Sequence, residues 1–141
     1  MIISSTLYLV WLYNEYMIPI DIAIKNYLHT ISLARSENTH RTYQNGLNVF
    51  KNCLQDAAID IENVMCNQLS EKHFALFIND LKLYSPSTER LYITAVVGFY
   101  EFLVAENLSH VNIQSAFAGN GWDAKPNAWR GYPVPARRKN L

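Results

Sequence analysis

"SENTHRTYQNGLNVF", Ser36 to Phe50, is the stretch on which the reading of this chain turns. Small polar residues come first, and Tyr43, Leu47 and Phe50 then recur at helical spacing, extended by Leu54. Arg41, Gln44, Asn45, Asn48 and Asn52 take the opposite side, which is uniformly polar. The pattern predicts an amphipathic helix over about 39–56. Its front is unusual. Hydroxyls at Ser36, Thr39 and Thr42 crowd the first turn together with His40 and Arg41. A helix start exposes unsatisfied backbone N–H groups and a partial positive charge. The stretch therefore suits two roles, a good cap or a surface that holds an anion.

Three further segments carry the same period. Ile20, Ile24, Tyr27, Leu28 and Ile31 share one face of a segment at about 20–35. Phe74, Phe77, Ile78 and Leu81 do so at about 71–83, with Ser70 as the candidate N-cap. A fourth segment, about 87–106, follows "SPS", where a serine and Pro86 both mark a helix start. Tyr92, Val96, Phe99 and Leu103 form one stripe on it, while Ile93, Val97 and Val104 lie on nearly the opposite side. A helix apolar around most of its circumference belongs at the centre of a bundle. Between the second and third segments, "DAAIDIENVMCNQ" reads as a loop with a short extended piece at Ile59–Ile61. The fold class that follows is an all-α bundle of four or five helices.

The flanks read differently. "MIISSTLYLVWLYNEYMIPI" is apolar, but Asn14 and Glu15 interrupt it short of the roughly 20 residues a spanning helix needs. It has neither a basic leading region nor a small-residue cleavage site, so it does not read as a signal peptide. Residues 1–19 stand as an extension, either an extra strand or helix packed on the core or the result of a mis-called start, with translation beginning at Met17. After about Ser115, glycines and prolines replace the helical period, and 116–141 reads as an extended linker. Trp122, Trp129 and Tyr132 sit in it, suited either to packing on a neighbouring surface or to stacking and anchoring.

Charge follows the same division. Lys and Arg match Asp and Glu at 12 each, so the whole chain offers no net attraction to nucleic acid or an anionic membrane. Residues 1–115 nevertheless carry seven basic against eleven acidic groups, whereas 116–141 carry Lys125, Arg130, Arg137, Arg138 and Lys139 against Asp123. The body is mildly acidic and the tail basic.

Chemistry of the catalytic kind finds few residues. His29, His40, His73 and His110 form no i, i+4 pair and none lies near a cysteine pair, which argues against a zinc site. No phosphate-binding loop, nucleophile elbow or dinucleotide fingerprint occurs, and no cofactor is expected. Asp56, Asp60 and Glu62 cluster in a loop, where solvation is the ordinary meaning. Cys53 and Cys66 fit reduced, semi-buried thiols of a cytoplasmic protein. Binding remains. Ser85, Ser87, Thr88 and Arg90 repeat at the fourth helix start the chemistry of the second. Two such starts are either two well-capped helices or a pair that straddles a nucleic-acid backbone.

"NTHRTYQNGLNVFKNCL", "LSEKHFALFINDL" and "SPSTERLYITAVVGFYEFLVAEN" together resemble the N-terminal core-binding domain of tyrosine recombinases, the phage-integrase-like proteins. That family's Thr-x-x-x-Tyr-x-x-x-Leu-x-x-Phe helix is met by Thr39, Tyr43, Leu47 and Phe50. Its Ser-x-Thr start and Phe-Tyr-x-x-Leu end are met by Ser85 or Ser87, Thr88, Phe99, Tyr100 and Leu103. Asn112–Ile113 stands where the family often has Asn-Pro, and "ARRKNL" resembles the basic linker toward a catalytic domain. The resemblance covers about residues 20–115.

It implies a SAM-like helical domain that clamps one face of double-stranded DNA during recombination or integration, with other recombinase protomers as further partners and no membrane. Thr39, Arg41, Thr42, Gln44, Ser87, Thr88 and Arg90, with Arg137, Arg138 and Lys139 of the tail, become the DNA-facing set. Most would touch phosphates, which position a protein without reading sequence. The family's catalytic Arg, His-x-x-Arg and Tyr constellation is missing from these residues, so the chain is expected not to cut DNA itself. Cations usual in the family are replaced here by Tyr92 and Val97, which with the acidic body predicts weak, salt-dependent binding. Two rival readings stand beside this one. In the first, the Val97/Val104 face and the Trp-rich tail make a protein-interaction module. In the second, the chain is an integrase remnant with no task of its own.

Overall fold

Ile20, Ile24, Tyr27 and Ile31 recur along the first helix, α1 (Ile20–Ala34), and that side is buried over its whole length. The structure, a computed structural model, describes residues 17–113; the N-terminal extension and the basic tail with Trp122, Trp129, Tyr132, Arg137, Arg138 and Lys139 lie outside them. Helix α2 spans Glu37–Asp56, α3 Glu71–Asp80 and α4 Pro86–Ala105. Short 3-10 turns occupy Cys66–Gln68 and Leu81–Leu83. The described residues are all-α, as the periodicity and the resemblance both imply.

Helix α1 begins at Pro19, which offers no side-chain cap. Its first free N–H groups are met by backbone from the loop after α2 instead. Ile20 N donates to Val64 O at 3.0 Å and Asp21 N to Ile61 O at 2.9 Å. Cys66 N returns a bond to Ile18 O at 2.9 Å, beside a single bridge between Pro19 and Met65. The extended piece read at Ile59–Ile61 is not present. Ile61 is in a turn and buried, and the extended pairing falls at Met65 instead.

Helix α4 is the hub, with Ile93, Ala95, Val96, Phe99 and Leu103 fully buried. It crosses α2 where Gly46 removes a side chain. A Cβ there would lie 3.2 Å from the backbone of Tyr92 and 3.3 Å from Ala95, so only glycine permits this approach without a shift. Phe50 stands at the centre of the core, its ring against Phe77, Phe99 and Tyr100 at 5.4 to 6.2 Å. Burying an aromatic of this size contributes about 2–3 kcal/mol from apolar area alone. Tyr27 ties α1 to α4: its hydroxyl donates to Ala95 O at 2.9 Å over the gap left by Gly98. Tyr100 ties α4 to α3, donating to Ser70 O at 2.9 Å.

Two further details depart from the sequence reading. The third segment is not continuous to Leu83, because the helix tightens to a 3-10 turn after Asp80. Val97 is only 7% exposed, so it cannot share a docking face with Val104, which is 43% exposed. The helix that looked apolar on two sides uses both sides for core.

Candidate nucleic-acid interface

Ser36 and Ser85 are the N-caps of α2 and α4, and the two caps are built alike. Ser36 Oγ accepts from Thr39 N at 3.1 Å and donates to Thr39 Oγ1 at 3.0 Å. Ser85 Oγ accepts from Thr88 N at 3.3 Å and donates to Thr88 Oγ1 at 3.0 Å. Each threonine receives the serine's hydrogen, which leaves its own for an outside acceptor. The parallel runs further, since both starts read Ser-x-x-Thr-x-Arg-x-Tyr: Ser36, Thr39, Arg41, Tyr43 and Ser85, Thr88, Arg90, Tyr92.

Both helices are 20 residues long and close in the same way. Ile59 N reaches back to Leu54 O at 2.9 Å, and Leu108 N to Leu103 O at 2.8 Å. The residues that turn the chain there, Ala58 and Asn107, both have positive φ, 65° and 61°. This is the glycine-type closure of a helix made without glycine. Along the crossing, contacts advance in step. Gly46 lies against Tyr92 and Ala95, then Phe50 against Phe99 and Tyr100. The helices thus run in the same sense where they cross, and both hydroxyl-rich starts face one end of the bundle.

A family model described as phage integrase, N-terminal SAM-like domain, matches residues 24–107, more than half of the chain. The chain belongs to this family. Its matched region contains both helix starts and the whole α2–α4 crossing. Comparisons with curated proteins and with solved structures returned no match.

The other anticipated residues of this integrase-family domain are distributed as follows. Arg41 is exposed and reaches Asn38 Oδ1 at 3.4 Å, within its own turn. Thr42 donates to Asn38 O at 3.1 Å, so its hydrogen is already engaged. Gln44 is exposed on the outer face of α2. Ser87 lies 3.4 Å from Ser85 Oγ, and Arg90 is exposed one turn into α4. Between them, Glu89 turns inward and is only 8% exposed. Burial raises its carboxyl above the usual range, while nearby Lys82 draws it partly back.

The sequence reading did not assign a role to Asn45, Asn48 and Asn52. They are exposed with Gln44 and Arg41 on the side of α2 directly away from the core. The sequence marks these positions as a polar face, and the amides Gln44, Asn45, Asn48 and Asn52 give that face its character. Among the described residues, no three His, Cys, Asp or Glu side chains converge as metal ligands. No described helix is long and apolar enough to cross a membrane. Cys53 and Cys66 are both free and buried. Burial, helped by Asp80, pushes Cys53 up to about 12, and burial pushes Cys66 up to about 11, so both stay as unreactive thiols.

Proposed function

We propose that this integrase-family domain is a DNA clamp that takes part in site-specific recombination or integration without cutting DNA itself. Residues 20–115 are the DNA-binding unit, and 116–141 lead toward a separate catalytic domain. The observation that carries this reading is the duplicated helix start within the family match. Two Ser-x-x-Thr-x-Arg-x-Tyr starts, capped alike and facing one end, suit two points on a phosphate backbone. Backbone N–H groups, the free hydrogens of Thr39 and Thr88, and the guanidinium groups of Arg41 and Arg90 supply the donors. Ser87 and Thr42 line the same starts, Gln44 follows on the outer face of α2, and Arg137, Arg138 and Lys139 add sequence-independent attraction from the tail. The partner is duplex DNA, with other recombinase protomers alongside, in a non-membrane setting.

The test is a fluorescence-anisotropy titration of the full chain against duplex DNA over a range of salt. Arg41→Ala and Arg90→Ala are each expected to weaken binding and to lower the salt slope by about one. Absence of binding at low salt, or binding indifferent to both changes, would overturn the reading. Loss of binding only on removal of 125–141 would move the grip to the tail.

A further inference from the structure

The outer face of α2 is chemically unusual for a solvated helix. Gln44, Asn45, Asn48 and Asn52 are exposed there, and none of the four takes part in a side-chain hydrogen bond among the described residues. Positions 41, 45, 48 and 52 follow the i, i+4, i+7, i+11 repeat of one helix face. Between Glu37 and Asp56 the helix carries Arg41 and Lys51 and no carboxylate. Asparagine is among the poorer helix formers, so three of them mid-helix weaken α2 compared with alanine or lysine. Helical stability gives no reason for this row.

Recognition does. A primary amide presents one donor and one acceptor side by side, the complement of N6–H and N7 on adenine. The major groove is about 12 Å wide and admits an α-helix. Residues 44 to 52 span about 12 Å along the helix axis at about 1.5 Å each. That length covers three to four base steps of about 3.4 Å. The absence of carboxylates lets this face approach a polyanion, and Arg41 holds its leading end at a phosphate.

We propose that the amide row of α2 reads adenine edges in the major groove, giving the domain a preference for adenine-bearing duplex over a short window. This rests on the DNA-clamp reading and adds to it the class of sequence preferred. Asn45, Asn48 and Asn52 are specificity-determining residues, separate from the phosphate-holding helix starts.

The experiment is selection from a random duplex library with the full chain, followed by titration of the selected duplex and of the same duplex carrying 7-deazaadenine. The wild-type chain should enrich adenines in a window of about three to four base pairs, from the helix geometry above. Loss of a bidentate adenine contact at the selected position should weaken binding about 5- to 150-fold. The triple variant Asn45→Ala/Asn48→Ala/Asn52→Ala raises helix propensity, so it should fold at least as well, which its thermal midpoint will show. It should keep salt-dependent binding and lose the adenine preference. A wild-type chain that binds without sequence preference, or a triple variant that keeps the preference, overturns this inference and leaves the clamp standing. A wild-type chain that binds no duplex at low salt overturns both.

Discussion

Helices α2 and α4 are near copies in their ends and opposites in their sides. Each opens on Ser-x-x-Thr-x-Arg-x-Tyr, runs 20 residues and closes through a residue of positive φ. Yet α2 buries one stripe and shows an amide-rich outer face, whereas α4 buries residues around most of its girth. The same start serves a surface helix and a central one because caps are local. They depend on a few bonds within one turn, not on what the rest of the helix packs against. The difference lies in what each helix leaves free. On α4 little beyond the first turn remains for a partner, while α2 offers its whole length.

The largest effect is expected on the α4 side of the comparison, at Gly98, where that helix makes room for Tyr27 of α1. A methyl group there would meet the Tyr27 hydroxyl inside van der Waals contact. Gly98→Ala should destabilise the domain by about 1–3 kcal/mol, as overpacking does. In a Tyr27→Phe background the clash is relieved, so denaturant titrations of the two single variants and the double should give less than the sum of the single effects. Additive effects would show that Tyr27 is not what the methyl group meets.

A smaller effect separates the two helix ends. Asparagine takes up the left-handed conformation readily, whereas alanine does so at a cost of about 1–2 kcal/mol. Ala58→Gly should therefore stabilise by about 1 kcal/mol, whereas Asn107→Gly should leave the unfolding midpoint nearly unchanged. Equal responses would mean that the two closures carry the same strain.

The smallest effect concerns the helix start that departs from both. At α3, Ser70 N donates to His73 Nδ1 at 3.1 Å, so the imidazole works as an acceptor and must stay neutral. Burial, with Lys72 adding to it, lowers the His73 pKa below its ordinary value of 6.5. A lowered histidine makes the unfolded chain the better proton acceptor, so stability is whole above that value and declines as pH falls below it. In His73→Gln the side-chain oxygen keeps the bond without titrating. Urea midpoints measured from pH 7.5 to 5 should fall further for the wild-type chain than for the variant. Parallel curves would remove His73 as the cause.

Much of this architecture was legible because side-chain periodicity records burial directly. Tyr43, Leu47, Phe50 and Leu54 marked α2, and Ser85 with Pro86 marked the start of α4. What escaped had no side-chain signature. The bonds from Ile20 and Asp21 to Val64 and Ile61 join backbone to backbone, and any residues could make them. The inward turn of Val97 depends on which neighbours surround α4, and the pattern of one helix does not state that. At the site, the capping serines and the arginines stood out by residue type. The likeness of the two starts was legible as well, but their matched cap bonds and common direction depend on backbone geometry that residue type does not state.

The start of α1 carries one more consequence, for the order in which the chain assembles. Its leading N–H groups are satisfied only by carbonyls that follow α2 in sequence. Securing them closes a loop containing two whole helices, an entropic cost that a local cap does not incur. Helix α1 therefore cannot complete its own beginning from local contacts. Its start is complete once the α2 segment has turned back through Ala58 and Ile61 has found the core, so α1 is finished after α2 although it precedes α2 in the chain.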